Sequence, residues 1–512
     1  MFSYLRLVVR VTWITLLVCL SVSAAEPITA SKLDQPKLEI APFARAIVAT
    51  DGPIVRLRPD DTQFPLLRGA NQIRLHGLPI DEARSISLDL HRIEVFSPGA
   101  RIVRGTANGD EPLPVPEVTL FGGRVAGRPD SSAFLSVSSD HRQGWIMLGR
   151  ESFILSDGPH GKKGDLVIYS PSRLPEQAIR IRPFSCDSER LQLPDRVLPG
   201  VAEVAGTLPR GPSAPSACRR ADLAIETDFE YTNDLFGGDL GASAAYTASL
   251  IGAVSEIFKR DFNTELRIVY LRLWDTNETP WDQGNTLDQL FQFQDFWNAE
   301  MTHVTRNAVH FLSGRPLGGG VAYLPGLCYP GYDYGLSANL GGAFPYPLEH
   351  NHWQNWDPFV VAHEIGHKFN APHTHNMTPP VDCCGGWAGD AHPSCGGTQD
   401  CSAVPDGTIM SYCHTCAGGM LNIRLEMHTR TVQERILPLL TNPWFCDLVL
   451  PCDPVGDCNG DGVLDLADVE CFVDVTLGNN PYNGPMQRSD MRNDGTVNGL
   501  DAQPFVDALT GP

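Results

Sequence analysis

Between residues 85 and 170 apolar and polar positions change places nearly one for one. SISLDLHRIEVF (85 to 96), SAFLSVSS (132 to 139) and DLVIYS (165 to 170) carry the alternation, and Gly, Pro and Asp punctuate the stretches between them. A period of two sends successive side chains to opposite faces of a strand. Residues 26 to 193 therefore read as a β-rich domain. From Cys218 the period changes. AAYTASLIGAVSEIFKRDF (244 to 262) and LDQLFQFQDFWNAEM (287 to 301) place apolar residues at helical spacing. ADLAIETD (221 to 228), ELRIVYLRLW (265 to 274) and NAVHFLSG (307 to 314) read as strands between them. Helices and strands alternating over residues 218 to 448 predict an α/β domain. Residues 194 to 217, PDRVLPGVAEVAGTLPRGPSAPSA, are rich in Pro, Gly and Ala without an amphipathic period, and read as an exposed linker. A last segment, 452 to 512, repeats an Asp/Asn/Gly pattern of its own.

The first 25 residues differ from all of these. Arg6 and Arg10 precede an apolar run from Val11 to Val22, and the small residues Ser23, Ala24 and Ala25 follow. Basic residues, a short apolar stretch and small residues in that order predict a cleaved secretory signal. The run is short for a spanning helix, and no later segment is apolar enough for one, so a secreted or cell-surface chain with no transmembrane segment is expected. A length of 512 residues calls for several domains. The net charge of −21 argues against nucleic acid and anionic lipid surfaces as partners.

The chemistry concentrates in VVAHEIGHKFNAPHTHNM, residues 360 to 377. His363 and His367 are four apart, which on a helix sets both imidazoles on one face, able to share a cation. Glu364 lies one position around from His363 and can address a water molecule there. A straight helix would carry the next histidines away from that face, so the chain must turn. Pro372 cannot continue a helix, and Asn370 tolerates the left-handed conformation that ends one. In the extended segment beyond, His373 and His375 face the same way, and either can supply a third imidazole.

HEIGHKFNAPH resembles the metzincin zinc-peptidase signature, a HExxH helix, a turn and a third histidine six residues beyond the second, with Asn370 where the family usually has glycine. GTIMSYC (407 to 413) is similar to the methionine turn that underlies the metal in that family. The resemblance, to reprolysin-like metzincins of the ADAM and snake-venom type, implies a catalytic Zn2+ held by His363, His367 and His373. It implies Glu364 as the acid/base and Met410 and Asn370 in structural roles; Tyr412 matches a tyrosine that some metzincin branches use as an extra ligand or a donor to the transition state, though the ADAM and snake-venom branches do not use it so. It also implies an α/β zincin (metzincin) catalytic domain, a β-rich N-terminal prodomain and hydrolysis of polypeptide substrates. GGGVAYLPG (318 to 326) resembles the edge strand along which such enzymes align extended peptides; a plain glycine-rich loop is the rival reading.

The cysteines bear on this. Fourteen are present, and losing Cys19 with the signal leaves thirteen, an odd number in an oxidising compartment. Cys383, Cys384, Cys395, Cys401, Cys413 and Cys416 crowd the segment after the histidines and predict a disulfide-stapled loop rather than a second metal cluster. Cys186, in RPFSCDSER, is the odd one. GRVAGRPDSSAFLSVS resembles the propeptides of reprolysin-like enzymes, which makes Cys186 a candidate inhibitory thiol on the zinc; a disulfide to Cys218 is the rival.

The terminal segment holds two loops. DCNGDGVLDLAD (457 to 468) sets oxygens from Asp457, Asn459, Asp461, Asp465 and Asp468 at calcium-loop positions, with the Val463 carbonyl between them and Gly462 at the sharp turn. DMRNDGTVNGLD (490 to 501) keeps Asp490, Asp494, Asn498 and Asp501 but has Arg492 in a ligand slot, so a weaker Ca2+ site is expected. The pair, each loop followed by an apolar helix, resembles a type I dockerin. That implies a small α-helical calcium-loop domain and a cohesin-like partner; a calcium-stabilised tail without a partner is equally consistent with the residues. The expectation is a secreted zinc endopeptidase made as a zymogen. Its rival is a catalytically silent scaffold or adhesion component anchored through the tail.

Overall fold

The computed structural model describes residues 37–46, 52–161, 164–175, 178, 185–191, 219–348, 356–441, 448, 455–459, 464–480, 483–492 and 496–510. The expected signal, the linker 194–217, Cys218, and the calcium-loop residues Asp461, Val463 and Asp494 lie outside the described residues. No described helix is long and apolar enough to cross a membrane.

Among the described residues two sheets form. The first has ten strands in the order β1 (Leu38–Ile40), β4 (Gln72–Pro79), β5 (Ser85–Ile93), β8 (Val118–Val125), β9 (Ser131–Ser138), β10 (Arg142–Leu148), β11 (Glu151–Ser156), β12 (Val167–Tyr169), β3 (Ile54–Pro59) and β2 (Phe43–Arg45). The second has eight, in the order β13 (Ser185–Cys186), β17 (Gly319–Ala322), β18 (Tyr334–Ser337), β16 (Ala308–Leu312), β14 (Arg219–Thr227), β15 (Thr264–Leu273), β6 (Phe96–Thr106) and β7 (Gly109–Pro112). Strands β15, β14, β16 and β18 run parallel, and β17 is antiparallel to β18.

Alternation in β9 and β10 does not mean one wet face. Ala133, Leu135, Val137 and Ile146 enter a core of the first sheet's own. Phe134, Trp145 and Met147 enter a second core, shared with the α/β segment. What covers that face is helix α2 (Leu240–Phe262), capped by Asp239 at its start and by left-handed Asn263 at its end. A Cβ on Gly252 would meet Leu120 Cδ1 at 2.7 Å, so glycine is what lets helix and sheet close up there. The preceding helix is α1 (Phe229–Phe236). On the other side of the second sheet lies α3 (Thr286–Glu300), packing Leu290, Phe293 and Trp297 against Val309, Val321 and Leu336.

Helix α4 (Asp357–Lys368) carries the histidine motif and is buried along its whole length. Asp357 fixes its start by accepting from Tyr246 Oη at 2.6 Å and from the amides of Gly341 and Gly342. The tail adds α5 (Ala467–Thr476), α6 (Asn483–Ser489) and α7 (Ala502–Thr510), gathered around Phe472, Val475, Phe505 and the Cys458–Cys471 disulfide.

Candidate functional site

Asn370 has φ of 70°, the left-handed turn expected of it. Its amide donates to His367 O at 2.8 Å, and the chain doubles back so that Ala371 O meets His367 Nδ1 at 2.8 Å. His363 Nδ1 is held by Ile409 O at 2.7 Å, one residue before Met410, whose own carbonyl accepts from Thr374 N at 3.0 Å. A Cβ on Gly366 would come 3.0 Å from Met410 Sδ, which puts the methionine directly under the helix. His373 Nδ1 lies 3.1 Å from Asp390 Oδ2. With every Nδ1 engaged, the three Nε2 atoms converge. They and Cys186 Sγ all lie within 4.8 Å of one another.

Burial holds His363 and His367 well below the usual histidine range and His373 below it, which keeps the imidazoles in the neutral form that ligates a metal. His373 Nε2 and Glu364 Oε1 are buried without a hydrogen-bond partner among the described residues. Such orphaned atoms cost about 1–3 kcal/mol each, and a cation at the meeting point would satisfy the imidazole outright. The donor set of three neutral nitrogens, one thiol and an adjacent carboxyl fits zinc.

Cys186 forms no disulfide and is buried. Its sulfur is 3.3 Å from His367 Nε2, 3.6 Å from Glu364 Oε2 and 3.1 Å from Ser188 Oγ. Burial pushes both the thiol and the Glu364 carboxyl well up, so a thiolate here requires a cation beside it. The segment arrives as a strand: β13 pairs parallel with β17, Cys186 opposite Gly320, and Ser188 Oγ accepts from Ala322 N at 2.9 Å. A Cβ on Gly320 would sit 2.2 Å from Glu364 Oε1, so the carboxyl packs flat under that strand. Tyr412 Oη donates to the Cys186 carbonyl at 3.3 Å, with its ring against those of His373 and His375.

His375 does not join the other three. Its Nε2 meets Asp390 Oδ1 at 3.1 Å, so Asp390 bridges two imidazoles. Burial alone would raise the Asp390 carboxyl, but the hydrogen bonds to His373 and His375 outweigh it and hold the group far below the carboxylate range. Asp390 sits in a loop tied by Cys383–Cys395, Cys384–Cys413 and Cys401–Cys416, so the crowded cysteines pair as disulfides. Asp390, Ser188 and the carbonyls of Ile409 and Ala371 escaped the sequence reading; no spacing rule points to a residue held by loop closure.

The tail loops repeat one geometry. Asp468 accepts from the amides of Asn459 and Asp465 at 3.0 and 2.9 Å. Asp501 accepts from those of Arg492 and Asn498 at 3.1 and 2.9 Å. Arg492 thus takes the same backbone place as Asn459 while bringing a cation instead of an oxygen. Asp457, Asp468, Asp490 and Asp501 are buried, and Phe472 stacks on Phe505 at 4.0 Å.

Among solved structures, the crystal structure of metalloproteinase-II from Bacteroides fragilis is similar at 13% identity, over 61% of this chain and 85% of that chain, with a TM-score of 0.32. No curated protein sequence matches the chain. Two family models do: residues 217–422 match Metallo-peptidase family M12 of the reprolysin kind, with the zincin-like fold and peptidase class that family carries, and residues 455–505 match the Dockerin type I domain.

Proposed function

We propose that the chain is a secreted zinc-dependent endopeptidase made as a zymogen and carrying a calcium-binding docking tail. The observation that supports this most is the convergence of the His363, His367 and His373 Nε2 atoms on one point, with Glu364 beside it and Cys186 Sγ as the fourth neighbour. Zinc, when held by the three imidazoles, supplies the Lewis acid that polarises a peptide carbonyl and acidifies water. Glu364 takes a proton from the attacking water and returns it to the leaving amine. The Tyr412 hydroxyl, which here donates to the Cys186 carbonyl, donates to the substrate carbonyl oxygen in its place. An extended substrate pairs with β17, where the carbonyls of Gly320 and of Gly318 just before the strand here accept from the amides of Asp187 and Ser185.

The N-terminal strand β13 uses that same edge, which supports a latent form with the Cys186 thiolate in the coordination position that catalysis needs. In the tail, Asp457, Asn459, Asp465 and Asp468, with Asp461 and Val463, hold Ca2+, and Asp490, Asp494, Asn498 and Asp501 hold a weaker one. Exposed Leu466, Val473 and Leu477 on and beside α5 suit a cohesin-like protein partner. Glu364→Gln should bind one zinc per chain and lose casein hydrolysis about 10²- to 10⁴-fold after cleavage of the linker. A cleaved wild-type chain that neither holds zinc nor hydrolyses casein rejects the proposal.

A further inference from the structure

The N-terminal segment grips the second sheet at both edges, and the two grips are unequal. At the β17 edge it pairs through two residues, Ser185 and Cys186, helped by Thr286 Oγ1 donating to Asp187 at 2.6 Å. At the other edge β6 lies along β15, with Phe96 opposite Ile268 and Arg101 to Arg104 opposite Tyr270 to Leu273. Arg272 pairs with Asp110 at 2.8 Å and Arg104 with Asp275 at 2.6 Å. Gly105 lies flat on the Trp274 ring, 2.6 Å from where its Cβ would be.

The faces are locked as well. Phe134 stacks on Phe344 at 6.3 Å between ring centres, and Ser136 Oγ meets Ser249 Oγ at 2.7 Å. Tyr169 Oη donates to Pro345 O at 2.6 Å, and Tyr346 Oη to Asp165 O at 2.9 Å. Departure of the N-terminal residues would bare Phe344, Tyr346 and Trp274, now 0%, 5% and 2% exposed. It would also leave β15 as a long apolar edge open to aggregation.

We infer that cutting the chain between residues 191 and 219 releases Cys186 from the metal site but not the N-terminal module. The active enzyme is then a non-covalent complex of two fragments, with residues 37–175 as a permanent wall of the peptidase. The short β13 grip, now at a free chain end, lets go; the β6 grip and the shared core do not. The part of this that concerns activation rests on the zymogen reading above; the persistence of the interface does not.

The test is a full-length chain with a specific-protease site engineered within 194–217, made with and without Glu364→Gln to suppress self-digestion. After cutting, size-exclusion chromatography should show one species of the intact chain's mass, its two fragments separating only in denaturant, and the wild-type version should hydrolyse casein. Release of the N-terminal fragment under native conditions, whether the remainder stays in solution or precipitates, overturns the inference. An intact but inactive complex supports the lasting interface and overturns the release of Cys186, and with it the zymogen reading.

Discussion

At one edge of the second sheet the N-terminal segment contributes a two-residue strand, polar contacts through Asp187 and Ser188 and one reactive side chain; at the other it contributes an eleven-residue strand, two ion pairs and a tryptophan contact. The β13 edge trades area for chemistry. Cys186 sits there against His367 and Glu364 at the end of a short backbone ladder. The β6 edge trades chemistry for area, resting on backbone pairing, ion pairs and a ring contact. On the zymogen reading, the contact to be undone is small and centred on one sulfur, and the contact that lasts is broad. That contrast can be attacked from either side.

The largest effect belongs to the β13 edge. Anchored on both sides in the uncut chain, the thiol competes at an effective concentration in the millimolar range or above, and the cut lowers this by freeing one side; Cys186→Ser should therefore take casein hydrolysis by the uncut chain from background to the level of the cut one. Continued latency of that variant, with zinc bound, would show that backbone pairing along β17 closes the site by itself. Next in size is Gly320→Ala. The added methyl must displace the Glu364 carboxyl by an ångström or more, which costs on the order of 10²-fold in kcat. Zinc content and fragment association should not change; if kcat is also unchanged, the carboxyl is not seated under β17 during turnover.

Much of the β13 side could be read from residues alone. The i, i+4 histidines, Asn370 as the left-handed stop and the methionine turn are local signals, each set by fewer than a dozen residues. The odd cysteine count singled out Cys186, which the structure brings to the three histidines. The β6 side could not be read in the same way. FSPGARIVRGT (96 to 106) holds no period of two, and nothing local says that it leaves the first sheet for the second. Its partner β15 is about 170 residues away, and a parallel pairing of that span leaves no trace in periodicity. Asp390 was hidden for a related reason: a disulfide-closed loop, not a helical or strand register, carries it to His373 and His375.

At the β6 edge, Asp110→Ala should act without touching the chemistry. It leaves Arg272, whose side chain is 6% exposed, with the Glu226 carboxyl at 3.8 Å as its remaining ion-pair partner among the described residues, and removes the acceptor of the Tyr270 hydroxyl. Breaking a buried pair from one side costs about 3–5 kcal/mol, and Asp110 keeps some water contact, so about 2–3 kcal/mol is expected here. In the cut complex the N-terminal fragment should leave at a lower urea concentration, while kcat of the associated enzyme holds. Loss of kcat in step with release would instead make β6 part of the active machinery, and the two edges would no longer be separable.

The smallest effect is a proton. His91, on β5 facing α2, is buried with Nε2 unpartnered among the described residues. Burial, with Lys259 and Arg488 nearby, holds it down to about 3, against an ordinary value of 6.5. The folded chain therefore binds fewer protons than the unfolded one between those values. The contribution of neutral His91 is complete above pH 6.5 and drains away as pH falls toward 3. Acid should thus loosen the N-terminal module from α2, and His91→Leu, which fills the space without titrating, should flatten that dependence by one proton's worth of slope. Fragment release from the metal-free cut complex at pH 7 and pH 5 measures it, because His363, His367 and His373 are the same in both proteins and cancel in the comparison. Identical slopes would move the acid-sensitive contact off this face and onto the carboxylates of the β6 edge, Asp110 and Asp275.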